Sequence, residues 1–363
     1  MSNMLNQKLK LGVIGAGRIG RVHAETIQYR IPNAEITMIS DVNLEAARKA
    51  AADFQIPFVT EDYRDILTNA EIQGVVICSS TDTHARIIME AAAAGKHIFC
   101  EKPVDLSIPK INEALASVKK AGVKFQVGFN RRYDPNFKRI ADAVRAGELG
   151  QPHLVRITSR DPNPPPISYV KVSGGLFLDM TIHDFDMARY VINDEVEEVY
   201  AIGQNLIDPE IKNAGDVDTA VVTLKYKGGA ICTIDNSRKA VYGYDQRLEV
   251  FGSKGCMLAS NNTPTNTQHW DAQAQKRDLP LNFFLERYTD SYIGEMKEFV
   301  SCVLNNQQPT CSGIDGLRSV VLGMAAMKSM AEGRPVKISE IATGSNATNE
   351  AMNIRWSGPE ANA

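Results

Sequence analysis

The clearest chemical signal in the 363-residue chain is Gly15-Ala16-Gly17-Arg18-Ile19-Gly20, a Gly-x-Gly-x-x-Gly. Glycine is common here, at 26 residues, so the run carries weight only through its context. A short, almost continuous apolar run, Lys10–Gly15, precedes it, and a helix-forming stretch, Arg21–Arg30, follows it. Gly15 then permits a tight turn, Gly17 lets the backbone approach a pyrophosphate, and Gly20 lets helix and strand pack closely. The amides at the helix start face the anion, which adds Arg18 and Ile19 to the group. Asp41 ends the next strand, Glu35–Asp41, about 20 residues downstream, where a carboxylate accepts hydrogen bonds from ribose hydroxyls and repels a 2′-phosphate. Val42-Asn43-Leu44 come next, with no arginine to receive that phosphate, so NAD is favoured over NADP. The alternative is a bare glycine turn with Asp41 capping a helix.

Three further groups could carry chemistry. Ser79-Ser80-Thr81 end the apolar strand Gly74–Ser80, on the sheet edge where open α/β folds bind ligands, and so belong with the cofactor residues. Ser80 or Thr81 equally suits the N-cap of the following helix. His84 stands at the start of that helix and is grouped with the cofactor residues, without a catalytic role. Glu101-Lys102-Pro103 ends the strand Lys96–Glu101, which aims Lys102 at the crevice expected to take the nicotinamide, while Pro103 restricts it to an extended conformation. Glu101 and Lys102 therefore join the cofactor set, against the alternative of a surface lysine. The last group is Leu178-Asp179-Met180-Thr181-Ile182-His183-Asp184-Phe185-Asp186. On one helix, Asp179 and His183 lie four apart and share a face. A histidine accepts a proton near neutral pH, and a neighbouring carboxylate orients it and holds its charged form. A capping Asp179 and a core His183 would look the same.

Positioning these groups requires alternating strands and helices up to about residue 130. Helices are expected at Leu44–Phe54, His84–Ala94 with Gly95 as its C-terminal cap, and Ile111–Lys120, between the strands above and Val123–Phe129. This alternation predicts a doubly wound parallel sheet. Beyond a helix at Asn136–Ala146 the pattern changes to longer strands, His153–Arg160, Glu197–Asn205, Thr219–Lys227, Ala230–Ser237 and Gln246–Phe251. Turns such as Lys227-Gly228-Gly229 predict antiparallel hairpins, hence an α+β domain with an open, mostly antiparallel sheet. Helices return at Tyr292–Leu304 and Ile314–Met330. The expected domains are 1–128, 129–340 and a polar tail, 341–363.

Composition excludes several functions. Hydrophobic residues are 44% and charged residues 23%, ordinary globular values, and the net charge is −3. No positive excess exists to neutralise a phosphate backbone, so nucleic acid is not an expected partner. No apolar run approaches the roughly 18–20 residues that span a bilayer, and Met1 to Lys10 lacks the apolar centre of a signal peptide. Cys78, Cys100, Cys232, Cys256, Cys302 and Cys311 form no Cys-x-x-Cys pair, which reads as buried, reduced thiols in a cytoplasmic protein. No His-Glu-x-x-His is present, and no metal site is expected.

Four of these segments together resemble one family: Gly15–Gly20, Glu101-Lys102-Pro103, Gly128-Phe129-Asn130-Arg131-Arg132-Tyr133-Asp134, and the Asp179/His183 stretch look like the glucose–fructose oxidoreductase / inositol dehydrogenase family. The resemblance runs from about Lys8 to Ile338. Within it, Ser159-Arg160-Asp161-Pro162-Asn163-Pro164-Pro165-Pro166 and the Gly174-Gly175…His183-Asp184-Phe185-Asp186-Met187-Ala188-Arg189 region look like the inositol 2-dehydrogenases. The resemblance implies an N-terminal Rossmann domain, an open-sheet C-terminal domain, a homotetramer built through those sheets, and a Lys102–Pro103 peptide that is often cis. It also implies Lys102, Asp179 and His183 as the catalytic group.

The expected activity is NAD-dependent oxidation of a ring hydroxyl of myo-inositol, with inositol catabolism as its setting. A polyol is almost all hydroxyls, so Arg131, Asp161, Asn163, Tyr242 and Tyr244, on polar loops, are substrate candidates beside Asp179 and His183. Strand packing is the alternative for the two tyrosines. Other readings are a scyllo-inositol or other sugar dehydrogenase, and a non-catalytic NAD-binding sensor.

Overall fold

A computed structural model describes residues 8–341. The expected tail beyond Ile341 lies outside the described residues. The chain opens with six strands and five helices in alternation. These are β1 (Leu9–Ile14), α1 (Arg18–Arg30), β2 (Ala34–Ser40), α2 (Leu44–Phe54), β3 (Phe58–Thr60), α3 (Arg64–Thr68), β4 (Gly74–Ile77), α4 (Thr81–Ala93), β5 (His97–Glu101), α5 (Ile108–Ala121) and β6 (Phe125–Gly128). All six strands pair in parallel, in the order β3-β2-β1-β4-β5-β6. This is the doubly wound order of dinucleotide-binding sheets, and it reverses direction between β1 and β4. β4 is buried along its whole length, as a strand covered on both faces must be. α2 shows why these helices form where they do. Ala47, Ala50, Ala51 and Phe54 make one buried stripe, and Asn43 caps the first turn by accepting the Ala46 N–H.

A 3-10 turn at Asn130–Tyr133 leads into the second half. It contains α6 (Pro135–Arg145), β7 (Pro152–Arg160), α7 (Ile167–Val170), α8 (Gly175–Asp179), α9 (Thr181–Ile192), β8 (Val196–Gln204), α10 (Pro209–Asn213), β9 (Thr219–Tyr226), β10 (Ile231–Ser237), β11 (Asp245–Gly252), β12 (Gly255–Ala259), the exposed hairpin β13 (Gln268–Trp270) and β14 (Gln275–Arg277), and α11 (Phe284–Arg287). The chain continues through α12 (Thr289–Leu304), α13 (Gly313–Glu332) and β15 (Val336–Lys337). Seven strands form one sheet in the order β12-β11-β7-β10-β9-β8-β15. Every neighbouring pair is antiparallel except β7 and β10, which run parallel. Burial alternates along β9, and α9 packs on β7 and β10, so one face is covered and the other is bare. Among the described residues no helix is long and apolar enough to cross a membrane.

The division of the chain differs from a single cut near residue 128. Residues Asp290–Arg318 group with the first unit, and Asp134–Thr289 with Ser319–Ala342 form the second. Met296, Phe299 and Val300 of α12 belong to the same apolar cluster as Leu11, Val76 and Phe99, and the Phe99 and Phe299 rings lie 5.9 Å apart, edge to face. An apolar helical stripe reads the same whichever sheet it covers, so sequence pattern assigned α12 to the wrong half. One thiol also differs from expectation: Cys256, on the edge strand β12, is exposed, while the other five cysteines are buried, and none of the six is in a disulfide.

Candidate functional site

The glycine loop has the geometry that a bound diphosphate needs. Gly15 lies at φ +101°, and a Cβ there would meet the Cys78 carbonyl at 2.6 Å. A Cβ on Gly20 would collide with the carbonyl oxygen of Gly15, which is how helix and turn pack so closely. A Cβ on Gly17, by contrast, would meet nothing within 4 Å. That open space lies at the N-cap of α1, where no side chain caps the first turn. Arg18 is exposed and Ile19 half-buried. Asp41 closes the site on the β2 side. Its carboxylate accepts the Ala16 N–H at 2.7 Å and the Asn43 N–H at 2.8 Å, each through a different oxygen. Asn43, not Asp41, supplies the cap of α2. Each oxygen of the half-buried Asp41 keeps a second lone pair for a ribose hydroxyl. The loop and Asp41 therefore fit NAD, whose ribose hydroxyls the Asp41 carboxylate would accept from, while it would disfavour a 2′-phosphate.

On the neighbouring strand end, Ser79 shares a hydrogen bond with Thr83 through their hydroxyls at 2.7 Å. Ser80 occupies the N-cap position of α4 without a side-chain capping bond, and Thr81 is half-buried. His84 is buried, with Nδ1 2.8 Å from the Pro103 carbonyl and Nε2 3.0 Å from the Ser79 carbonyl. Burial lowers its pKa, although both carbonyls favour the charged ring. The ring joins the end of β4 to the loop after β5, a positioning task.

Lys102 is half-buried and precedes a cis peptide to Pro103. Glu101 turns its carboxylate inward, with Oε1 2.6 Å from Nε2 of the fully buried His23 on α1. Glu295 of α12 joins them, its Oε1 3.9 Å from the same nitrogen. Burial and the nearby Glu101 charge hold the Glu295 carboxyl well above the usual range. The three side chains bring ligand-type atoms within 4.8 Å of one another, an arrangement a metal ion could also use. The 2.6 Å separation is a hydrogen-bond length, and a shared proton suffices for it. The sequence reading missed His23 and Glu295. Arg131, the remaining candidate in this unit, is buried in the 3-10 turn.

The other candidates lie in the second unit. Asp179 ends α8 and His183 stands in the first turn of α9, so the expected single helix is interrupted at Met180. Helical spacing survives the break, because the Met180 N–H still bonds to Leu176 O and the His183 N–H to Met180 O. Asp179 accepts from Tyr169 Oη at 2.9 Å and from Arg238 Nη1 at 3.2 Å. His183 is half-buried, flanked by the fully buried Thr181 and Asp184. Asn236 of β10 anchors both flanks, accepting from Thr181 Oγ1 at 2.7 Å and donating to Asp184 Oδ2 at 2.9 Å. Asp161 follows β7 and meets Arg238 Nη1 at 3.5 Å, while Asn163 is exposed on the proline-rich loop. Tyr242 donates to Asp245 at 2.6 Å and accepts from Arg160 at 3.1 Å. The Tyr244 ring is buried edge to face against Phe283 and Tyr288. Arg238 and Asn236 were also missed; the only trace in the sequence is a polar run, Asp235-Asn236-Ser237-Arg238, closing an alternating strand.

Comparison with known proteins gives the family of the chain. Residues 9–129 match the family model described as an oxidoreductase family with an NAD-binding Rossmann fold, and residues 137–258 match the GFO/IDH/MocA C-terminal domain. The chain is 49% identical to myo-inositol 2-dehydrogenase of Thermotoga maritima, over 92% of this chain and 99% of that protein. It is 42% identical to inositol 2-dehydrogenase of Rhizobium meliloti, over 91% and 99%. The crystal structure of myo-inositol dehydrogenase from Lactobacillus casei, in complex with NAD(H) and myo-inositol, superposes with a TM-score of 0.83 at 25% identity, covering 94% of this chain and 99% of that one.

Proposed function

The chain belongs to the GFO/IDH/MocA oxidoreductase family, and from that premise we propose that it is an NAD-dependent inositol 2-dehydrogenase, oxidising one ring hydroxyl of myo-inositol to the inosose. The observation that carries the substrate is the likeness to two inositol dehydrogenases along nine-tenths of the chain. The amides of the Gly15–Gly20 loop would hold the diphosphate, Asp41 a ribose, and Ser79, Ser80 and Thr81 the cofactor's reactive half. When bound, NAD accepts the hydride from the carbinol carbon. His183 takes the hydroxyl proton as general base, so the alcohol loses one hydride and one proton and becomes a ketone. Lys102 donates a hydrogen bond to the reacting oxygen and stabilises its alkoxide character. Asp179 orients this acid–base group, and Arg131, Asp161, Asn163, Tyr242 and Tyr244 are the proposed polyol contacts.

Two features support a homotetramer assembled through the open sheets. The bare face of the seven-stranded sheet exposes Leu154, Ile202, Val221, Ile231, Phe251 and Leu258. Leu154 pairs with both Phe251 and Ile231, and Val221 with Ile202, so these side chains form contiguous rows. A cytoplasmic setting, with inositol catabolism as its context, is consistent in its redox state with six cysteines of which none is in a disulfide.

Steady-state assays over a polyol panel with NAD and NADP test the function. The expected result is turnover of myo-inositol with NAD preferred. Preference for scyllo-inositol would move the assignment within the family. Preference for an aldose would overturn the substrate, and a thermal shift on adding NAD without any turnover would favour a sensor.

A further inference from the structure

We propose that Arg238 is a positioning residue of the polyol site, fixing the carboxylates of Asp161 and Asp179 in one orientation. The inference rests on the dehydrogenase reading above. Its origin is the one parallel pairing in the second sheet. β7 and β10 run in register from Leu154↔Ile231 to Arg160↔Ser237, so the next residues, Asp161 and Arg238, leave the sheet side by side. The backbone fixes both: the Asp161 N–H bonds to Ser237 O at 2.9 Å, and the Arg238 N–H to Asp218 O at 2.8 Å. The Arg238 side chain is only 3% exposed. Its Nη1 reaches Asp179 Oδ2 at 3.2 Å and Asp161 Oδ2 at 3.5 Å. Tyr169 Oη occupies the other oxygen of Asp179, so neither oxygen is left to rotate.

Electrostatics agree with this placement. Burial opposes the guanidinium charge, yet the carboxylates of Asp179, Asp161 and Asp216 outweigh it and raise the pKa of Arg238.

The test uses the full-length protein as wild type, R238Q, R238K, D179N and R238Q/D179N. R238Q is expected to lower kcat/KM for the preferred inositol by about 100-fold, with KM for NAD unchanged. R238K, which keeps the charge but loses the fork, should recover about tenfold. If Arg238 acts through Asp179, the double variant falls little below the poorer single variant, whereas independent residues would give losses that multiply. Wild-type kcat/KM in R238Q, equal losses in R238Q and R238K, or multiplying losses would each overturn the inference. A second readout needs no substrate. Each single variant breaks the Arg238–Asp179 ion pair and lowers Tm, and the double variant should lower Tm by less than the sum. Additive shifts there count against the pairing. If wild type oxidises no polyol the functional reading fails, and the Tm cycle still decides whether Arg238 organises Asp179.

Discussion

His183 separates chemistry from binding in the proposed reaction, since it moves a proton and the glycine loop holds the cofactor. Positioned acid–base groups contribute about 10²–10⁴-fold to rate. His183→Ala is therefore expected to lower kcat for myo-inositol oxidation by about that range, with NAD affinity, followed by titration, left near wild type. Wild-type turnover in that variant would remove His183 from the mechanism. At this scale the candidates legible in the sequence are those that local spacing marks: Gly15, Gly17 and Gly20 in one loop, Lys102 before a proline, and Asp179 four residues before His183. It did not show Asn236 and Arg238. Their partners Ser159 and Asp161 are 77 residues away in sequence and adjacent only through the β7–β10 register. It also placed Glu101 with the cofactor residues, and a motif cannot reveal that the carboxylate points inward to His23.

Among the elements, the β1–α1 turn offers a contrast between two glycines of one motif. Gly20 packs against the Gly15 carbonyl with no room for a Cβ, while Gly17 has open space. Gly20→Ala must shift backbone against backbone, so it should lower Tm by several degrees and weaken NAD binding with it. Gly17→Ala should fold with a near-wild-type Tm, yet lose NAD affinity by tenfold or more, on the order of 1.4 kcal/mol, because its new methyl occupies the diphosphate's approach. Calorimetry and NAD titration of both variants check this, and normal NAD binding by Gly17→Ala would show that the open space is not the ligand's. Elements with a strong period were legible: α2 was expected at Leu44–Phe54 and is found there, and the second sheet's long alternating strands announced themselves. Elements shorter than a period were not. α7, α8 and the hairpin of β13 and β14 span three to five residues each, too few to show any repeat.

For the molecule as a whole, the path of the chain into the second unit and back gives stability a pH dependence that neither motif announces. Returning at Asp290, the chain brings Glu295 into the core of the first unit, fully buried beside His23 and Glu101. Neither Glu295 oxygen has a hydrogen-bond partner among the described residues, so the neutral acid is the form that burial tolerates. Its native pKa is raised, by burial first and by Glu101 second, above an ordinary value of 4.5. The sign follows from proton counting. Below 4.5 both native and unfolded chains hold the proton, and the contribution to stability is complete. As pH rises past that value the unfolded chain ionises while the native one does not, so stability falls by about 1.4 kcal/mol per pH unit until the native value is reached. Glu295→Gln keeps the shape and removes the titration. Its Tm should match wild type near pH 4.5 and exceed it by a margin that widens toward neutral pH. A margin that stays flat between about pH 5 and 8, or a variant less stable than wild type at neutral pH, would mean that Glu295 is ionised in the folded protein and that the His23–Glu101–Glu295 group holds a charge in place of a proton.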